Sequence, residues 1–179
     1  MDWDERLFAY LDDLEQEAEA RFGSERASEL GDRARAEYAA VTLVGRLLAS
    51  VDRELALEVR GVGAVTGTLQ RVGPDWCLLE SGSRVWVVRL EHVLTVEGAS
   101  ERSVPEVARS PIARLGVGSV LRGLADSGEH SLICTAGGSS YDVTVGRVGR
   151  DFVEVVTGQG RVLLLPLGGV AAVRTQIVQ

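Results

Sequence analysis

Lysine is missing altogether: all 19 basic residues of this 179-residue chain are arginine. That excludes a phosphate loop completed by Lys, and the bias itself reflects a GC-rich coding sequence more than chemistry. Histidine is nearly as scarce. His92 and His130 are the only two, each stands apart from any Ser or Cys nucleophile motif, and no G-x-S-x-G occurs. The two cysteines, Cys77 and Cys134, sit singly inside apolar runs without C-x-x-C or His spacing, which argues against a zinc or redox motif and for reduced core residues. Aromatic residues make up 5% of the chain, so the core must be aliphatic, built from Val and Leu. The longest apolar run, 162–173, is broken by Pro166, Gly168 and Gly169 and is too short for a bilayer. The start, Met1-Asp2-Trp3-Asp4-Glu5, is acidic where a secretory leader would be basic. The expected location is the cytoplasm.

The chain does have apolar residues (45%) and charge (25%) in globular proportion. The charge is unevenly placed. Residues 1–30 hold ten acids against Arg6, Arg21 and Arg26, which accounts for the whole net charge of −7, while 31–179 balance sixteen acids with sixteen arginines. Neither part has the basic excess that drives nucleic-acid affinity.

Trp3, Leu7, Leu11, Leu14, Ala18 and Phe22 recur at helical spacing among acids, which predicts an amphipathic helix ended by Gly23. Ser24 is placed to cap a second helix carrying Ala27, Leu30, Ala34, Val41, Val44 and Leu48 and reaching about Ser50, weakened by Gly31 and Gly45. After Asp52 the period becomes that of strands, expected at 54–60, 64–72, 76–80, 84–89 and 94–97. Gly61-Val62-Gly63 and Ser81-Gly82-Ser83 supply the turns, and five short strands in a meander imply a closed or nearly closed barrel. Residues 98–109 have the composition of a linker.

The pattern then returns. Ser119-Val120-Leu121-Arg122-Gly123-Leu124 corresponds to Thr42-Leu43-Val44-Gly45-Arg46-Leu47 at an offset of 77. Arg71-Val72-Gly73-Pro74-Asp75-Trp76 corresponds to Arg147-Val148-Gly149-Arg150-Asp151-Phe152 at 76. Arg84-Val85-Trp86-Val87-Val88 meets Arg161-Val162-Leu163-Leu164-Leu165, and Leu90, Val93 and Val96 fall on Leu167, Val170 and Val173 at 77. One supersecondary unit present twice is the expectation.

In the shared Gly-x-Asp-aromatic phrase, Gly73 or Gly149 is expected to supply a positive φ, and Asp75 or Asp151 to close the turn through its side chain. Trp76 and Phe152 should enter the core as buried equivalents. Gly61-Val62-Gly63 and Gly116-Val117-Gly118 fit neither phosphate-loop pattern and read as a hairpin turn and a helix start. The repeated Arg71, Arg84, Arg147 and Arg161 form the candidate polar binding surface, although strand-end arginines also keep an edge soluble.

A helix followed by five short strands, with Gly67-x-Leu69 in the second, Asp75 before the third and Leu90-Glu91-His92-Val93 between the last two, resembles the Sm-like barrel family over about 42–97 and again over 119–174. Tandem versions with an acidic helical start also resemble uncharacterised proteins of high-GC Gram-positive bacteria. The resemblance implies an α+β chain: an acidic arm (1–50), a first small Sm-like or SH3-like barrel (51–98), a linker with a short helix (99–118) and a second barrel (119–179). It also implies exposed fourth and fifth strands, which such proteins use to pair with a neighbour. Its RNA-pocket residues do not carry over, because Asp75 is followed by Trp76-Cys77 and the later loops read Arg89-Leu90-Glu91-His92 and Pro166-Leu167-Gly168-Gly169. The expected function is a non-enzymatic protein-interaction or scaffold module without cofactor or metal, with RNA binding as the alternative. The expected partner is a protein, with self-association through barrel strand edges or the helical arm included, RNA disfavoured and no membrane.

Overall fold

The computed structural model describes Gln16, Glu19 and residues 31–33, 35–109 and 111–176. The chain forms two compact units, Met1–Val41 and Thr42–Gln179. In the first, residues 31–33 and 35–39 are helical, and the turn closes with Ala40 and Val41 donating to the carbonyls of Glu37 and Tyr38. The helix expected over 3–22 lies outside the described residues apart from Gln16 and Glu19, both helical.

The second helix does not run on to Ser50. It stops before Thr42, whose extended backbone (ψ 154°) and side-chain hydroxyl, accepting from the Gly45 N–H, cap a new short helix, α1 (Leu43–Leu48). Gly45 is there for space. A Cβ on it would lie 2.3 Å from Ser103 Oγ and 2.9 Å from the Val104 carbonyl, and Val104 N–H donates to the Gly45 carbonyl. The expected linker is thus fastened to α1: Arg46 Nε donates to the Ser100 carbonyl, and the buried Ser50 hydroxyl accepts from Ser100 N–H.

Ten strands follow. They are β1 (Glu54–Val59), β2 (Gly63–Val72), β3 (Trp76–Ser81), β4 (Arg84–Arg89) and β5 (Val93–Glu97), then β6 (His130–Thr135), β7 (Ser140–Val148), β8 (Phe152–Thr157), β9 (Val162–Pro166) and β10 (Val170–Gln176). Helix α2 (Val117–Ser127) precedes β6 and ends at Gly128 in the left-handed conformation. The first five strands match the alternating pattern within about one residue at their ends.

Their assembly differs from the expectation. The two five-stranded barrels, each preceded by its helix, give way to one open antiparallel sheet of order β5-β1-β2-β3-β4-β10-β6-β7-β8-β9. β5 returns to pair with β1, and β4 pairs with β10 over Arg84–Val88, so neither half closes on itself. Closure requires β4 to spend its second edge within its own half, and that edge is taken by β10.

The described hydrophobic residues form two cores. Core one gathers Leu47, Leu55, Leu57, Leu69, Leu79 and Val88 with Ala171 and Ala172; core two gathers Val87, Val117, Leu121, Ile133, Val143 and Val173 with Trp76. Side chains alternate across a strand, and the register shows the consequence. The row Leu78–Val87–Val173–Ile133 lies in core two, whereas the next row passes from Leu79 and Trp86 in core one to Arg174, Leu132 and the exposed Asp142. The apolar face therefore changes sides at β4–β10. Arg174 lies over the Trp86 ring at 5.5 Å, where that row leaves the core.

Candidate functional site

The shared Gly-x-Asp-aromatic phrase builds the same local geometry in both halves. Gly73 N–H donates to the Trp76 carbonyl and Gly149 N–H to that of Phe152; Leu90 N–H and Leu167 N–H donate to the carbonyls of Asp75 and Asp151. Neither Gly73 nor Gly149 has the positive φ expected of it. Each makes room for a ring, since a Cβ would come within 2.2 Å of Trp76 Nε1 or 2.4 Å of Phe152 Cε1.

Beyond that turn the halves part. Asp75 does not close its own turn with its side chain; Oδ1 accepts from Val117 N–H and caps α2. Trp76 is 5% exposed, within core two, and its indole N–H donates to the Leu115 carbonyl at 2.7 Å. Phe152, expected to be its buried equivalent, is 37% exposed. Trp76 is covered by the segment leading into α2, whose Leu115 carbonyl accepts its indole N–H, and no such bond is made by Phe152.

The four repeated arginines are all exposed, and two of them, Arg84 and Arg161, line neighbouring hollows. Arg147 pairs with Glu154 at 3.3 Å. Arg84 lines a hollow of about 420 Å³ with Arg174, Glu129, His130 and Asp142. Arg161 lines a neighbouring hollow of about 390 Å³ that shares His130 and Asp142. Arg71 lines neither. His130 Nδ1 lies 3.8 Å from Asp142 in the open.

Arg89 and His92, which no motif singled out as a pair, are buried at the junction of the halves. Arg89 Nη1 donates to the Leu167 carbonyl and His92 Nε2 to the Gly168 carbonyl, both at 2.9 Å; Arg89 also pairs with Glu91 and lies 3.8 Å from Asp75. Side chains of the first half thus hold backbone of the second. Cys77 and Cys134 are free and buried, as the sequence suggested; burial pushes the Cys77 thiol up to about 12 and raises that of Cys134 despite the nearby Arg174. Among the described residues no group of three or more His, Cys, Asp or Glu could hold a metal ion, and no helix is long and apolar enough to cross a membrane.

The edge strands lie at the two ends of the sheet. Among the described residues, β5 and β9 each have a strand on one side only. Large apolar side chains stand beside both open edges: Leu94 on β5, and Val162 and Leu164 on β9 with Phe152 next to them. A hollow of about 380 Å³ runs along β5, walled by Leu43 and Arg46 of α1 and by Leu94 and Val96. The signal for β9 was legible as a broken alternation. Val162-Leu163-Leu164-Leu165, like Val85-Trp86-Val87-Val88, is apolar at both parities, the mark of a strand with two faces to bury. No family model matches the chain, and no curated protein matches it either.

Proposed function

We propose that the chain is a non-enzymatic protein-interaction or scaffold module that works through the two open edges of its sheet. The observation that carries this is the exposure of Leu94, Val162 and Leu164 beside backbone that has no pairing strand among the described residues. Natural proteins blunt such edges with charge, Pro or a covering element, and β9 carries only Arg161 before it and Pro166 at its end. An open edge flanked by apolar side chains is the arrangement that accepts an added strand. The recurrence of the Gly-x-Asp-aromatic hydrogen bonds supports an origin by duplication of one unit. Two reduced, buried thiols suit a cytoplasmic setting, and burial that raises a thiol's pKa works against nucleophilic use.

RNA binding is disfavoured because Arg71 and Arg147 line neither hollow, and Arg84 and Arg161, which do, share them with Glu129 or Asp142. The test is affinity capture with the full chain and with Leu94→Arg and Leu164→Arg variants, alongside retention on mixed RNA at rising salt. Specific protein capture lost in either variant is expected. RNA retention that falls steeply with salt and ignores both variants would put the RNA reading first.

A further inference from the structure

We infer that the hollow walled by Arg84, Arg174, Glu129 and Asp142 binds a small zwitterion of dipeptide length, its carboxylate held by the two arginines and its ammonium by the two acids. The site is independent of the strand edges and lies on the sheet face opposite core two. Val87, Val173, Ile133 and Val143 belong to core two, so by alternation Arg84, Arg174, Leu132 and Asp142 stand on the other side. The register orders them. Trp86, Arg174, Leu132 and Asp142 form one cross-strand row, and Arg84 lies in the next row opposite Gln176.

Charges of both signs share this wall without neutralising one another. Among the described residues Arg84 and Arg174 make no ion pair. Asp142 lies 3.8 Å from His130, and Glu129 accepts from the Thr175 hydroxyl at 3.4 Å. The register is the reason the opposite charges stay apart. Arg174 and Asp142 are two strands apart, about 10 Å at the backbone. The Arg174 guanidinium lies over the Trp86 ring, which neighbours it in the row on the side away from Asp142. Leu132 stands between them as an apolar floor.

A molecule that satisfies both groups carries a carboxylate at one end and an ammonium at the other. A free α-amino acid is too short, because both its charged groups sit on one carbon. Two residues of extended chain span about 7 Å, which matches the gap once each protein side chain has taken up part of the separation. Guanidinium forks suit a planar carboxylate, and the Gln176 amide beside them adds a neutral donor. The hollow, about 420 Å³, has room for a dipeptide. The neighbouring hollow of about 390 Å³, which shares His130 and Asp142, leaves space for the amino-terminal side chain. A plain anion fits worse because it meets Glu129 and Asp142, and a plain cation because it meets two arginines.

The experiment titrates the full chain with alanyl-leucine by NMR and calorimetry, against probes that each alter one feature. The dipeptide amide lacks the carboxylate, the N-acetyl dipeptide lacks the ammonium, and free leucine carries both charges too close together. The dipeptide should bind saturably at one site, and each other probe at least about tenfold more weakly, the cost of one charge-assisted contact. Arg84→Gln should shrink the dipeptide's advantage over its amide, and Asp142→Asn its advantage over the N-acetyl form. Both side chains are exposed, and circular dichroism checks the fold of each variant. Arg147→Gln, at a residue that lines neither hollow, and Leu164→Arg on β9 should leave binding unchanged. No saturable binding up to the solubility of the dipeptide, an N-acetyl form that binds as tightly as the free dipeptide, or equal weakening by Arg147→Gln overturns the inference. If a variant misfolds, the probes decide on the wild-type chain alone. Absent dipeptide binding together with protein capture that Leu164→Arg still abolishes would sink the zwitterion site and leave the interaction reading standing.

Discussion

Trp76→Ala should cost far more stability than Phe152→Ala, although the two residues occupy the same place in the repeated phrase. Trp76 is enclosed in core two, and its removal leaves a cavity and a Leu115 carbonyl without its donor; core Trp or Phe truncations cost about 3–5 kcal/mol. Phe152 keeps more than a third of its surface in water. A fully buried Phe side chain contributes about 1.5–3 kcal/mol by transfer, so roughly two-thirds burial without a closed cavity gives about 1–2 kcal/mol. The gap of about 2 kcal/mol corresponds to a difference of about 4–8 °C in melting temperature for a domain of this size. Urea titrations of the two variants measure it directly. Equal losses in dilute solution would refute the reasoning, because they would mean that both rings are enclosed within one chain.

Three further outcomes follow from the packing. Gly45→Ala should destabilise by about 1–3 kcal/mol in thermal melts even though Ala is the better helix former, because its methyl would meet Ser103 and Val104; a stabilised variant would mean that the 103–104 segment does not sit on α1. Arg89→Ala should cost about 2–4 kcal/mol in chemical unfolding, since it removes a buried donor from the Leu167 carbonyl and the partner of Glu91, and Arg89→Lys should recover only part of the loss. The raised Cys77 thiol makes the native state hold its proton where the unfolded state gives it up, so that contribution is intact below the ordinary value of 9.0 and is lost as pH rises towards about 12. Relative to Cys77→Ala, wild-type stability should therefore fall by about 1.4 kcal/mol per pH unit above pH 9, and parallel profiles for the two proteins would contradict it.

What the sequence disclosed and what it withheld divide along the range of the forces involved. The strands from Glu54 to Glu97 were legible to about a residue because alternation and Gly turns are local. The break before Thr42 was missed because the apolar spacing continues through it, while the cap depends on one hydroxyl and on the docking of Ser100 and Val104. The strand order was out of reach, since β1–β5 and β4–β10 join residues about 40 and 87 positions apart by pairings that no periodicity encodes. Asp75 was recognised as a turn residue, yet its side chain serves a helix that starts 42 residues later. The candidate arginines recur for reasons of strand ends, while the exposed apolar residues, hidden in runs that looked like ordinary core, stand on the two edge strands.

The change of sides at β4–β10 has a consequence for how the second unit, Thr42–Gln179, comes apart. Val87 belongs to one core and its neighbours Trp86 and Val88 to the other, and on β10 Val173 and Ala172 divide in the same way. Neither core can lose its packing without stripping one face from strands that wall the other. The sheet that looks like two halves in sequence is thus a single cooperative element, in which damage to either core is transmitted across the thickness of one β-sheet and both halves melt in one transition.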